Sequence, residues 1–244
     1  MTFKPFSGSN IHLSTVAWNQ HHSLYSPHLY DQNFIEFKLS PFFDEFIEIE
    51  AFHQRTTQCK ALVFKFPPRI APRPGVKTYL KRHAYDEIKL NVYTKDTDFT
   101  GLNPLPSQYH IKQVQQQELS VYLTYRYQLD LPLGEDFARD NQEMIKQLID
   151  RNEMISYIVT YEGEMVAHAE YILHSDRIEL YYIEVAKAHR RQALASHLQQ
   201  AAKKSYPNAL FFAVADADDP AANAMYQSLG YSLSFWFLQF QKVL

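Results

Sequence analysis

The chain of 244 residues carries 24 Lys and Arg against 27 Asp and Glu, for a net charge of −3 and a pI near 6.4. That length can bury a core for one large domain or two small ones, and without a basic excess nothing attracts a phosphate backbone, so nucleic acid is set aside as a partner. A single cysteine, Cys59, excludes an internal disulfide and fits a reducing compartment.

The opening MTFKPFSGSN lacks the charged-then-apolar order of a signal peptide, and no apolar run approaches the roughly 20 residues of a membrane span. A cytoplasmic protein with no membrane partner is the expectation. His21, His22 and His28 fall in an aromatic segment with no carboxylate at ligand spacing, so no metal is expected. Phe46-Ile47-Glu48-Ile49-Glu50 alternates apolar with acidic, and Ala61 to Phe66 and Ile88 to Tyr93 are strand-like runs. Residues 1–106 thus read as a strand-rich module with at most short helices. Proline-bearing stretches at 66–75 and 101–106 read as loops, the second as the boundary with a domain over 107–244. Two readings of the first module stand open: a decayed second copy of the fold that follows, or an unrelated module that shapes an acceptor site.

From Tyr109 the elements are regular. Tyr109 to Val114 reads as a strand, Glu118 to Leu129 as a helix, and Glu135 to Asp150 as a second helix. In that second helix Phe137, Met144, Ile145, Leu148 and Ile149 mark one buried stripe. Met154 to Tyr161 and Met165 to Leu173 flank the glycine turn Glu162-Gly163-Glu164 as a hairpin. A third strand, Arg177 to Val185, leads to a helix from about Arg191 to Tyr206. A buried strand from Leu210 to Val214, a helix from Pro220 to Leu229 and a strand from Tyr231 to Phe240 complete the order. The sequence β-α-α-β-β-β-α-β-α-β requires a mixed sheet, so the fold class is α/β with antiparallel hairpins and a helical crossover.

The junction after Val185 carries the chemistry. A helix N-terminus exposes N–H groups without intrahelical partners at the positive end of its dipole, which favours phosphate. Gln192, Ala193, Ala195 and Ser196 are small or unbranched near the backbone, and Arg190 and Arg191 add positive charge. The run Val185 to Ala195 resembles the acetyl-CoA signature of the GNAT superfamily, an Arg or Gln followed by x-x-Gly-x-Gly or Ala after a strand, with Ala193 where that family usually has glycine. Asp219 to Tyr231 resembles the second hallmark, a helix ending in Tyr-x-x-Leu-Gly-Phe or Tyr, here Tyr226 to Tyr231. Asp219 as N-cap, Pro220 in the first turn and Gly230 as the stop mark that helix physically. The resemblance covers roughly Gln108 to Leu244.

The resemblance implies acetyl-CoA as cosubstrate. Its pyrophosphate would lie on Arg190, Arg191, Gln192, Ala193, Leu194, Ala195 and Ser196, and its pantetheine between two splayed parallel strands against the backbone of Ile183 and Val185. It also implies Tyr226 as the acid that protonates the thiolate, and Glu179, eleven residues before Arg190, as the base. Glu184 is the alternative base, on the opposite face by strand alternation. Asn223 would hold the pantetheine or cap locally. The expected activity is N-acetyl transfer to a small-molecule or peptide amine within a ternary complex. A catalytically degenerate module that binds coenzyme A or another ligand for sensing or partner interaction is the competing reading. A homodimer stays open.

Overall fold

The computed structural model describes residues 10–23, 29–96 and 102–244. The first nine residues, His28 and Gly101 therefore lie outside the described part. In chain order the elements are β1 (Asn10–Ser14), β2 (Trp18–His22), β3 (Phe34–Phe37), α1 (Phe43–Thr56), β4 (Ala61–Lys65), α2 (Pro74–Arg82) and β5 (Asp86–Lys95). Next come β6 (Tyr109–Gln113), α3 (Leu119–Asp130), α4 (Glu135–Asp150), β7 (Met154–Tyr161), β8 (Glu164–Leu173) and β9 (Arg177–Val185). The last four are α5 (Leu194–Ser205), β10 (Leu210–Asp216), α6 (Pro220–Ser228) and β11 (Ser232–Val243). This is the mixed α/β architecture anticipated from residue 109 onward, preceded by a strand-rich module. Among the described residues no helix is long and apolar enough to cross a membrane.

Three local expectations need correction. Residues 46–50 are not a strand but part of α1, whose 14 residues also exceed a short helix. Five residues are too few to separate a period of 2 from one of 3.6. The period emerges over the full helix, where the buried Phe46 and His53 stand two turns apart. The carboxylate of Glu45 takes the Phe42 N–H at 2.8 Å and closes the start of that helix. The helix expected from Arg191 begins only at Leu194, because Arg191 and Ala193 hold left-handed backbone, with φ of 67° and 56°. The third concerns β9 and the face its carboxylates take, described with the candidate site.

The described strands form one sheet in the order β1-β2-β3-β4-β11-β5-β10-β9-β8-β7-β6. The β7–β8 hairpin turns on Glu162 and Gly163, both at positive φ, the geometry that matches strand twist. A topology repeats along the chain. β3 runs parallel to β4 across α1, and α2 then leads to β5; β9 runs parallel to β10 across α5, and α6 then leads to β11. The final strands are exchanged: β5 lies antiparallel to β10, while β11 lies antiparallel to β4, and β5 and β11 pair with each other.

Cross-strand register assigns the two faces. On one, α1 and α2 cover Ile35, Phe37, Phe64 and Phe240, and α5 and α6 cover Tyr171, Leu180, Phe211 and Ala213. On the other, α3 and α4 pack on Met154, Ile158 and Ile172, with Tyr122, Met144 and Ile145 among the contacts. Phe34, Ala61 and Val63 lie on this second face near Tyr30. Between those two covered regions runs a central band, floored by Val92, Phe212 and Phe237 with Leu90, Val214 and Phe235.

Candidate active site

β9 and β10 pair in parallel from Leu210↔Arg177 to Ala213↔Leu180 and no further, although β9 continues to Val185 and β10 to Asp216. The two strands therefore fork after Leu180 and Ala213. Ala186 donates its N–H to Val166 O at 2.8 Å, which makes Val185 and Ala167 a non-hydrogen-bonded pair of the β8–β9 ladder. The N–H and C=O of Val185, and of Ile183 two residues earlier, consequently point away from β8 into the fork. The Val185 carbonyl there accepts a hydrogen bond from Arg190 Nε at 2.9 Å.

The loop from Arg190 to Ala193 leads from this fork into α5. Ala193 is the N-cap of α5, its side chain can offer no cap, and the first turn contains no acidic residue. The first intrahelical bond is donated by the His197 N–H to Ala193 O, which leaves the N–H groups of Leu194, Ala195 and Ser196 as helix-start donors with no intrahelical partner. Arg191, Gln192 and Ala193 are exposed, while the Leu194 side chain is buried in the core and offers only its backbone. Left-handed backbone costs a residue with a Cβ roughly 1–2 kcal/mol, and Ala193 bears that cost at the position of the missing glycine.

The carboxylates are not where alternation put them. Glu170 pairs with Tyr182 but Tyr171 with Leu180, so Tyr181 is an extra residue in β9. That bulge resets the two-residue period. Glu179, opposite Ile172, and Glu184, opposite His168, consequently share the face covered by α3 and α4, which corrects the expectation of opposite faces. Glu179 is 4% exposed, immediately beside the fork, with Phe212 as its partner on β10. Its Oε2 lies 3.2 Å from His174 Nε2. Glu184 is half-buried, four residues past the fork, and accepts a hydrogen bond from the Tyr182 hydroxyl at 2.9 Å.

Tyr226 is buried on the other face among Leu180, Phe211 and Ala213, its ring 5.6 Å from Tyr93 and 5.7 Å from Tyr231. Burial first, then the charges of Glu179 and Asp219, push its hydroxyl up to about 12. It stays a proton donor throughout the neutral range. Asp219 caps α6 by accepting from the N–H groups of Ala221 and Ala222 at 2.9 and 3.0 Å. Asn223 makes its bonds within the protein: Oδ1 accepts from Tyr93 Oη at 2.6 Å and Asn91 Nδ2 at 3.1 Å, and Nδ2 donates to Asp216 O at 2.7 Å and to Asp219 O. It thereby ties α6 to β5, and its amide has no remaining capacity for a ligand.

Two features escaped the sequence reading. His174 opens the three-residue connection between β8 and β9, where its N–H donates to Arg177 O at 2.9 Å. Reading the register outward from that turn places it diagonally beside Glu179. The second is a buried ionic network under α3. Arg126 Nε is 2.8 Å from Glu170 Oε1, Arg126 is 3.3 Å from Asp130, and Tyr122 donates to Glu170 at 2.6 Å. Burial pushes the Glu170 carboxyl up, against the pull of Arg126. His168 lies beside this network, stacked at 5.4 Å on Tyr182, and neither ring nitrogen has a hydrogen-bond partner among the described residues. Burial, then the Arg126 charge, lowers it to about 3.

A cavity of about 700 Å³ opens on the same face beyond the bulge. Tyr181, Phe137 and the α3–α4 connection bound one side, and Tyr30, Lys60, Gln239 and Gln241 bound the other. That cavity is thus lined by both parts of the chain.

Residues 121–231 match the Acetyltransferase (GNAT) family model. No curated protein matches the sequence. Among solved structures, a functionally unknown conserved protein from Staphylococcus epidermidis aligns over 98% of this chain and 95% of its own, with a TM-score of 0.82 and 17% identity. A tandem GNAT protein from the clavulanic acid biosynthesis pathway aligns over 98% and 84%, with a TM-score of 0.60 and 11% identity. A GCN5-related N-acetyltransferase from Kribbella flavida aligns over 93% and 88%, with a TM-score of 0.62 and 14% identity. At these identities the likeness is one of fold. The family match thus identifies residues 121–231 as a GNAT acetyltransferase domain, on a fold that these solved structures share.

Proposed function

We propose that the protein is an acetyl-CoA-dependent N-acetyltransferase in which an acceptor amine attacks directly within a ternary complex. The observation that carries this reading is the meeting, at one strand fork, of an open backbone edge, an uncapped helix start, a buried carboxylate and a buried phenol. The N–H groups of residues 194–196 would hold the pyrophosphate, with Arg191 and Gln192 beside them. Ile183 and Val185 would pair with the pantetheine amides, and the Val185 N–H would polarise the thioester carbonyl.

Glu179 takes a proton from the acceptor ammonium and His174 relays it toward solvent. The amine nitrogen then bonds to the carbonyl carbon, the C–S bond breaks, Tyr226 protonates the departing thiolate, and the second proton leaves the new amide nitrogen and, through solvent, restores the Tyr226 hydroxyl. Glu179 is preferred over Glu184 because it borders the fork, whereas Glu184 lies further along the strand beside the phosphate loop. Titration calorimetry with acetyl-CoA tests the reading: binding in the micromolar range is expected, and no heat at high micromolar concentration overturns it.

For residues 1–106 we propose a degenerate GNAT-like half, on the repeated order of strand, helix, parallel strand, helix and exchanged strand. It would not cradle a phosphate. The helix equivalent to α5 is α1, whose first turn carries Asp44 and Glu45, and Glu45 already occupies the N–H of Phe42. One catalytic centre per chain follows.

A further inference from the structure

A second cavity, of about 290 Å³, lies on the same face of the central band, at the opposite side of Glu179 from the larger one. Its floor is Val92, Leu210, Phe212 and Phe235, and Phe212 is the direct strand partner of Glu179. The charged residues lining it are both arginines, Arg69 and Arg177. Arg177 stands two residues before Glu179 on the same face, about 7 Å along the strand. It is largely buried, with Nε 3.4 Å from the exposed Asp176, and its guanidinium lies 5.9 Å from the Phe212 ring centre. Arg69, in left-handed backbone, is anchored by a bond from its guanidinium to Ser234 O. Each guanidinium carries five donors, so both can still engage an anion. The volume falls at the lower end of small-molecule pockets, roughly 300–1,000 Å³.

We propose that the acceptor is a small amino carboxylate with an apolar or aromatic spacer, its amine at Glu179, its body on Phe212 and Phe235, and its carboxylate held by Arg69 and Arg177. This rests on the acetyltransferase reading and names the substrate class of that same site. An apolar cavity with a cationic end rewards a ligand of that shape and leaves a plain amine without an anchor. A polyamine would bring positive charge against the two arginines.

The experiment compares acetylation of 4-(aminomethyl)benzoate, 4-(aminomethyl)benzamide and benzylamine by the full chain. The carboxylate should be preferred in kcat/KM by roughly tenfold or more, the scale of a charge-assisted bond. Arg177→Gln and Arg69→Gln should each collapse that ratio toward one with a Tm close to wild type. A second arm needs no turnover: calorimetry should detect 4-methylbenzoate binding to the wild type and at least tenfold weaker binding to Arg177→Gln. Equal rates on all three amines, or equal 4-methylbenzoate binding by wild type and Arg177→Gln, overturn the assignment. If acetyl-CoA binds while these arms fail, the substrate class is wrong and the acetyltransferase reading stands. If acetyl-CoA does not bind but 4-methylbenzoate does, the acetyltransferase reading falls and the acceptor assignment with it, and what stands is a carboxylate-binding cavity at Arg69 and Arg177.

Discussion

The hydroxyl of Tyr93 donates a 2.6 Å hydrogen bond to Asn223, 130 residues later, and the Tyr93 ring lies 5.6 Å from that of Tyr226. A strand of the N-terminal module thereby fixes the helix that carries the proposed acid. Tyr93→Phe should cost about 1 kcal/mol of stability, the net value of one such bond, and should lower kcat because α6 loses an anchor. Urea denaturation and steady-state rates check both, and an unchanged kcat would separate the strand from catalysis.

Tyr226→Phe removes the proton donor while keeping the ring. Turnover should fall by about 10²-fold, in the range of general acid catalysis, with little change in acetyl-CoA affinity by calorimetry. With its hydroxyl pushed up to about 12, Tyr226 stays protonated from neutral to mildly alkaline pH, so the wild type should show no loss of kcat from this group below about pH 11.

Glu179→Gln and Glu184→Gln decide between the two carboxylates. The former should lower kcat by roughly 10²-fold or more and the latter by less than about tenfold. The opposite ranking would move the base along the strand to Glu184. His174→Gln should reduce kcat less than Glu179→Gln and change the pH profile of kcat, because a proton relay, unlike a packing contact, acts through the ionisation of its partner.

Ala193→Gly removes a Cβ from left-handed backbone. The strain relief outweighs the added freedom of the unfolded chain, so a gain of up to about 1 kcal/mol is expected, together with tighter acetyl-CoA binding. A drop in Tm or in affinity counts against the strained-cradle account.

His168 and His53 are lowered by burial, and secondarily by Arg126 and His22 respectively, to about 3 and about 4. The unfolded chain binds protons near 6.5 and the folded chain does not, so stability must fall as pH drops from about 6.5 toward those values. Each imidazole should remove about 2 kcal/mol between pH 7 and pH 5. Glu170, raised by burial, works in the opposite sense. His168→Gln should therefore flatten the pH dependence of the urea midpoint relative to wild type, and an equally steep dependence would exclude His168 as a source.

From residue 109 onward the fold was legible because each element carries its own period and its own stops. Glu135–Asp150 and Arg177–Val185 were recovered residue for residue. Before residue 106 the apolar positions of α1 passed for a strand over five residues. The loop proposed to hold the pyrophosphate reads in the sequence as small residues between strand and helix, but its left-handed turns at Arg191 and Ala193 do not, since neither residue type announces positive φ. The shared face of Glu179 and Glu184 depends on a one-residue bulge that leaves no mark in the pattern. Nothing local announces the strand exchange either, because β5 and β11 look the same whichever neighbours they take.

That exchange constrains how the protein is made. The open edge of β4 is completed by β11, with Ala61 opposite Val243, so the N-terminal sheet cannot close during synthesis until residues 232–243 have left the ribosome. Pairings of such sequence separation form slowly and leave strand edges exposed while they wait. In a growing chain β4 is a standing invitation to a neighbouring polypeptide, and chaperone dependence during expression should track the time taken to translate the second half.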